Sequence, residues 1–529
     1  MFWCQNQIIG GWRSVTKFLR FSSLIFLVFF LAISGCGGGS SSGQTQGGPF
    51  DTAKGEGVQQ SSNSVVTYST GGSGAEIAAD STLPALNTFY LTTICPSALT
   101  PAQCTQNQAS LNTAQFGNFN LSTNPIGNNP LGITAVDGIK ITYGALNVGR
   151  VPVTVSGGIV IPETDTLKGI VLFFHGTTVQ RSVVPSNFIT DTNPKGDSDG
   201  MLLAATWASQ GYAVVMPDYI GLGDDVVTPH PYVVYDQENA QSGLAMVKAV
   251  RASLADKERL PMYITGYSEG GAYALEAGHL MQNDSRYAST LKVTLKNVTP
   301  ISGAFDLTGS QLPFLFDNVQ ASGPPWFVLS PITTGLGKPY LSADQALSFS
   351  IYDSIAPTVI MAPGFYNCAD AVKPLCGEDG TLTGLYYEQM MLSNTDITLL
   401  VVGQANQVGY GASNSISPLL TSTYNQQLMD QDPSNPLYAA LLAANTYLFV
   451  PKFPLALVSL QMDSVVTRVN SDTAFAYMTG KNPKGPYQEF LVDNSDFFTP
   501  GLLAAGPIDH TSELPFLAIL ALNQFNLNP

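Results

Sequence analysis

Gly266-Tyr267-Ser268-Glu269-Gly270, with Gly271 directly after it, limits what this chain can become more than any other stretch. A G-x-S-x-G pattern is weak by itself, because small residues are common. Its flanks give it weight. Pro261-Met262-Tyr263-Ile264-Thr265 is a short apolar run that reads as a buried strand, and residues 271–281 are rich in helix formers. Strand, tight turn and helix in that order lift a serine hydroxyl above the carboxyl end of a sheet. Glycines suit such a turn because helix and neighbouring strands approach it too closely for a Cβ. A solvated serine in a Gly-rich connection is the competing reading; the flanking strand and helix favour Ser268 as a nucleophile.

The rest of the chain supplies the sheet. Ile139-Lys140-Ile141-Thr142-Tyr143 alternates apolar and polar residues as a half-buried strand does. Residues 151–155 and 158–161 read as two further strands with a turn between them, the first at a sheet edge or starting only after Pro152. Ile170-Val171-Leu172-Phe173-Phe174 is apolar throughout, as expected of a strand covered on both faces, and ends in His175-Gly176-Thr177-Thr178. Residues 199–209 read as a helix, 212–216 as a buried strand, and Gly243, Val247, Val250 and Leu254 fall on one helical face. Alternating strands and helices predict a mostly parallel sheet with helices on both faces. From about 305 the alternation stops; it returns at 453–460 and 488–492, with a last helix from near Pro515 to Phe525. The intervening stretch, 305–449, is expected to form a cap over the strand ends, where open α/β sheets bind ligands, and to set substrate choice.

Outside this body, residues 1–36 read as a secretion signal. Arg13, Lys17 and Arg20 precede the apolar 24–33, which is too short to span a bilayer comfortably. Ile33-Ser34-Gly35-Cys36 resembles the lipobox of bacterial lipoproteins, which implies lipidation at Cys36, export and, by the Gly37 that follows, an outer-membrane or surface location; an ordinary signal peptide holding a cysteine is the alternative. Residues 37–83, of Gly, Ser, Gln and Thr, are expected to be a flexible tether reaching on the order of 40 Å, and 84–137 an N-terminal extension of the catalytic body. Of six cysteines, Cys4 leaves with the signal. The close pairs Cys95–Cys104 and Cys368–Cys376 most simply form disulfides in an exported protein, and no histidine lies near either to suggest zinc. A net charge of −16 and a pI near 4.5 argue against nucleic acid as a partner.

Ser268 needs a base, and the chain has four histidines. His279 lies eleven residues further along the helix that starts at the serine, about 16 Å away, and is excluded. His230, with Pro231 and Tyr232, reads as an ordered turn, and His175 precedes the glycine of an oxyanion loop. His510 remains, in a loop between the last strand and last helix, which would land above the strand ends. The acid should lie between 268 and 510, just past a strand. Asp463 is the choice and Asp496 the reserve, with Asp472 expected inside the next helix. The backbone N–H of Glu269 and that of Thr177 would hold the oxyanion. No metal or organic cofactor is required.

Together, His175-Gly176-Thr177, residues 217–223 with His230-Pro231-Tyr232, the 266–271 turn, Asp463-Ser464-Val465-Val466 and the late His510 resemble the α/β-hydrolase fold. More narrowly, they are similar to secreted lipases and esterases related to the yeast lipase A group and its bacterial relatives. The resemblance covers 138–304 and 450–529, the catalytic domain, and implies hydrolysis of a small-molecule or lipid ester through an acyl-enzyme. Two rivals stand beside it. Prolyl-oligopeptidase-like peptidases share Gly-x-Ser-x-Gly-Gly but usually carry a propeller, and no internal repeat of 20–50 residues is present here. A non-catalytic surface binding lipoprotein would not need candidates for all three members of a triad.

Overall fold

A computed structural model of the chain describes residues 48–69, 102, 133, 135–178, 181–190, 204, 207–208, 210–226, 228, 230–231, 235–254, 259–316, 422–461, 463, 465–493, 510 and 514–529. The leader with Cys36, both cysteine pairs, Asp496 and nearly all of 84–134 and 317–421 lie outside them.

Among the described residues nine strands form one sheet: β1 (Gln59–Ser69), β2 (Ala135–Leu146), β3 (Pro152–Pro162), β4 (Gly169–Phe174), β5 (Tyr212–Pro217), β6 (Leu260–Tyr267), β7 (Val293–Ile301), β8 (Leu455–Leu460) and β9 (Tyr487–Val492). Their spatial order is β1-β2-β3-β5-β4-β6-β7-β8-β9. The first three pair antiparallel and β3 pairs antiparallel with β5; from β5 onward every pairing is parallel. The side chains of β4 divide by parity, as a strand covered on both faces requires. Ile170, Leu172 and Phe174 pack with α1 (Asp236–Arg251) and α2 (Glu269–Asn283) through Leu244, Val247, Ala274 and Leu275. Val171 and Phe173 face the opposite way, onto Trp207 and the last helix, here called α4 (Leu514–Leu527), through Leu517 and Phe525. A further helix, α3 (Val469–Lys481), covers β8 and β9 on the α1/α2 side with Ala474 and Met478. The sheet is therefore mostly parallel with helices on both faces.

Two expectations need correction. The two short strands at 151–155 and 158–161 are one strand, β3, which runs unbroken from Pro152 and lies between β2 and β5 rather than at an edge. Gly157 is not a turn residue. A Cβ there would sit 2.5 Å from the Met246 side chain and 2.7 Å from Met216 O, so glycine is what lets α1 and β5 close on the strand. Pro152 is tolerated because it is the strand's first residue.

The second correction concerns the tether, which does not extend to residue 83. Residues 48–69 belong to the body. Phe50 is buried with its ring edge-on to Tyr287 at 5.3 Å, Glu56 accepts from Gln241 Nε2 at 2.6 Å, and β1 adds an outer strand to β2. One aromatic ring and one carboxylate among small polar residues are a faint signal, yet together they tie the segment to Gln241 and Lys248 of α1 and to Tyr287. Accordingly, Phe50→Ala should destabilise the folded protein by about 3 kcal/mol, read as a drop in the urea midpoint; a midpoint equal to that of the wild type would return this segment to the tether.

Candidate active site

The turn between β6 and α2 is set by backbone contact. A Cβ on Gly266 would lie 2.0 Å from Gly270 O, and one on Gly270 would lie 2.2 Å from Phe174 O at the end of β4. Only hydrogen fits at both, so the helix starts directly against the strand ends. Ser268, between them, takes φ 57° and ψ −119°, a left-handed conformation that an L residue adopts only when its surroundings force it. Its N–H donates to Ile301 O at 2.9 Å and its carbonyl accepts from Gly271 N at 2.8 Å, which fix the turn on both sides.

This turn brings the three widely separated residues together. Ser268 Oγ lies 2.8 Å from His510 Nε2, and His510 Nδ1 lies 2.7 Å from Asp463 Oδ2. All three are buried. Asp463 follows β8 closely, and its other oxygen accepts from Val465 N and Val466 N, each at 2.8 Å. That clamp holds the carboxylate in one orientation, so that Oδ2 fixes the proton on Nδ1 of the imidazole and leaves Nε2 to face the serine. The ring of Tyr267 stacks on His510 with centroids 5.1 Å apart, covering one face of the imidazole. Asp472 sits in α3, as expected from the sequence.

The turn after β4 approaches the same point. A Cβ on Gly176 would lie 3.0 Å from Tyr267 Cδ1, so residues 175–177 run beside the elbow. Glu269 begins α2, and its N–H is among those left unpaired at a helix start, where the helix dipole favours negative charge.

The other histidines have structural partners. His279 bonds Glu276 and Asn283 on its own helix, at 3.0 and 2.8 Å. His175 stacks on Tyr219 at 4.0 Å, with Nδ1 2.6 Å from Gly176 O. His230 is not the ordinary turn residue its sequence suggested: Nδ1 lies 2.7 Å from Ile220 O and Nε2 lies 2.9 Å from Glu269 Oε1, in full burial. Burial alone would raise the Glu269 carboxyl, but the His230 charge and hydrogen bonds from His230 and Tyr273 outweigh it and hold the group below its ordinary value. Nothing in the sequence marked this pair except the charge of Glu269 inside a glycine turn. Among the described residues no cluster of His, Cys, Asp or Glu could hold a metal ion.

The order of strands, the serine turn and the loop positions define an α/β-hydrolase. Residues 197–306 match the Secretory lipase family. The matched stretch runs from before β5 to just past β7 and holds the serine turn; on this fold it supports carboxylic ester hydrolysis of the lipase and esterase kind. The structure is similar to the rice cell wall degrading esterase LipA from Xanthomonas oryzae, with 18% identity, a TM-score of 0.58 and coverage of 90% of this chain and 100% of that one. It is also similar to a putative hydrolase from Legionella pneumophila, with 19% identity, a TM-score of 0.53 and coverage of 75% and 90%. Candida antarctica lipase A aligns at 14% identity and a TM-score of 0.45 over 74% and 86%. At these identities the likeness to the first two speaks to the fold. No curated protein matches the chain.

If the close approach of α2 to β4 sets the turn, Gly270→Ala should cost at least about 2 kcal/mol of stability, since backbone on both sides leaves the new methyl nowhere to go. An unchanged urea midpoint would show that the helix start has slack.

Proposed function

We propose that this protein is a serine esterase of the secreted lipase type that works through an acyl-enzyme. The reading is carried by one observation: the unbroken relay from Ser268 Oγ to His510 Nε2 and from His510 Nδ1 to Asp463 Oδ2, at 2.8 and 2.7 Å. In acylation, Ser268 Oγ attacks the ester carbonyl while His510 takes the hydroxyl proton on Nε2. Asp463 stabilises the imidazolium so formed, and the stacked Tyr267 ring adds a favourable cation–π contact. The N–H groups of Glu269 and Thr177 receive the oxyanion. Collapse breaks the ester C–O bond, and the alcohol leaves with the proton from His510. Water then attacks the acyl carbon, gives its proton to His510, and the carboxylic acid departs as Oγ recovers its proton.

The decisive experiment is turnover of p-nitrophenyl and triglyceride esters over a range of acyl lengths, beside peptide amides, together with labelling by a fluorophosphonate. Ser268→Ala should lose ester turnover and labelling while remaining folded. Asp463→Asn should lower kcat by about 10³ to 10⁴, through the wrong imidazole tautomer. A folded, purified wild type that cleaves no ester and takes no label would end the esterase reading; cleavage of amides in preference to esters would make it a peptidase.

The same reading includes an anchored form: a leader ending before Cys36, lipid on that cysteine, the two disulfides Cys95–Cys104 and Cys368–Cys376, and a cap drawn from 305–449 above the site. In support, the Secretory lipase family is one of exported proteins, and no helix of the described residues is long and apolar enough to cross a membrane. Lipid at the N-terminus supplies the attachment. Expressed in a diderm bacterium, wild type should fractionate with membranes and Cys36→Ser should not; equal partition of the two would remove the lipid anchor.

A further inference from the structure

The buried side-chain pair Glu269–His230 stands apart from the proton relay of Ser268, His510 and Asp463, which does not run through it. Its hydrogen bonds form a closed circuit. His230 Nδ1 donates to Ile220 O at 2.7 Å, while Ile220 N donates to Asn239 Oδ1 at 3.2 Å, so this residue of the loop after β5 is held through both its N–H and its C=O. Asn239 Nδ2 donates to the Tyr273 hydroxyl at 3.0 Å, Tyr273 donates to Glu269 Oε1, and His230 Nε2 donates to the same oxygen at 2.9 Å. The circuit thus ties the 218–230 loop to α1 and to both turns of α2 nearest the serine. With Ile220 O and the Glu269 carboxylate as its partners, His230 satisfies both acceptors only when both ring nitrogens carry protons. Tyr219, with φ 81°, lies stacked between His175 and His230 at 4.0 and 5.8 Å, and its hydroxyl donates to His175 O at 2.6 Å, which carries the link to the turn that holds Thr177.

We infer that His230 and Tyr273 are positioning residues for the oxyanion hole: they neutralise the Glu269 carboxylate and fix its side chain, so that the Glu269 N–H and the turn at Thr177 are presented to a developing anion with no net negative charge beside them. The inference rests on the esterase reading. A carboxylate sits, buried, on the very residue whose amide must receive an oxyanion. Unopposed, it would repel the charge that forms in the transition state and leave the neutral ground-state ester nearly untouched. Truncating one partner of such a buried pair also leaves the other charge uncompensated, which is where the energetic asymmetry of these pairs lies.

That asymmetry gives the test. His230→Asn keeps a donor for Ile220 O but removes the counter-charge; His230→Asn/Glu269→Gln removes both charges. For the ester the wild type turns over best, His230→Asn should lower kcat about 100-fold or more, with KM within about twofold. It should weaken, by a similar factor, a trifluoromethyl ketone of the same acyl length, whose serine adduct carries an oxyanion. The double variant should recover at least about tenfold of both. A merely structural role predicts the reverse, because two lesions in one buried circuit add or worsen. Should His230→Asn fail to fold, Tyr273→Phe is nearly isosteric and should lower kcat and ketone affinity together by about three- to tenfold, with KM little changed. A double variant no better than His230→Asn, or a Tyr273→Phe enzyme with wild-type kcat and ketone affinity, overturns the inference while leaving the esterase reading intact. A wild type without ester turnover takes both down.

Discussion

The contact on which this structure most depends is the meeting of three backbone segments at the start of α2: the end of β4, the end of β6 and the first turn of the helix. Hydrogen, not carbon, fills the space between them. That closeness forces Ser268 into a left-handed conformation whose cost is of order 1–3 kcal/mol. Packing offsets it. α2 buries Tyr273, Ala274, Leu275 and Ala277 completely, and Gly278 lies so near Phe453 that a Cβ would meet its ring at 2.8 Å. A serine held this way cannot swing into the helix or lie back on the strand, and His510 has a fixed target.

Hydrogen-bond saturation sets the proposed base apart from the other three histidines. A base must keep a ring nitrogen open for a proton. Both nitrogens of His230 face oxygen acceptors, and His175 is stacked on Tyr219 with Nδ1 against Gly176 O. Those of His279 are shared with Glu276 and Asn283 on the helix exterior. His510 alone is oriented on one side by a carboxylate and faces a hydroxyl on the other. Two buried carboxylates at this site thus have opposite duties. Asp463, held by two backbone N–H groups, directs an imidazole, whereas Glu269 is itself held by one.

These differences explain what could be read from the sequence. The strand–turn–helix at 261–281 was legible because periodicity, glycines and serine all agree locally, and the order Ser268, Asp463, His510 follows from placing acid and base in loops past strands. The continuity of β3 was not, because Gly157 reads as a turn until Met246 and Met216 are seen pressing on it. The inward fold of 48–69 was hidden by its polar composition, since the energy lies in one ring, Phe50, and in β1's backbone bonds to β2, to which side-chain pattern is blind. The His230–Glu269 pair is separated by 39 residues and joined only by tertiary packing; neither residue carries a local signal of the other.

The long sequence separation between β7 and β8 poses the last structural question: what holds two neighbouring strands together when more than a hundred residues lie between them. β7 and β8 are direct parallel neighbours, and their pairing extends past the strand end through Ser302 N to Val458 O at 2.8 Å. At the point of departure, Asp306 N donates to Asn470 Oδ1 at 3.0 Å and Leu307 N to Asn445 Oδ1 at 2.7 Å, so exit is pinned to one residue beyond β8 and one on the approach to it. Gln311 adds a bond to Val465 O at 2.9 Å, beside the backbone that clamps Asp463. The loop is closed by its own base. Closure entropy grows only slowly with length, so once these side chains hold the two ends, the residues between them can change in number and kind at little cost to the triad. A chain built this way can vary between these two ends and keep the distance from Ser268 to His510 unchanged.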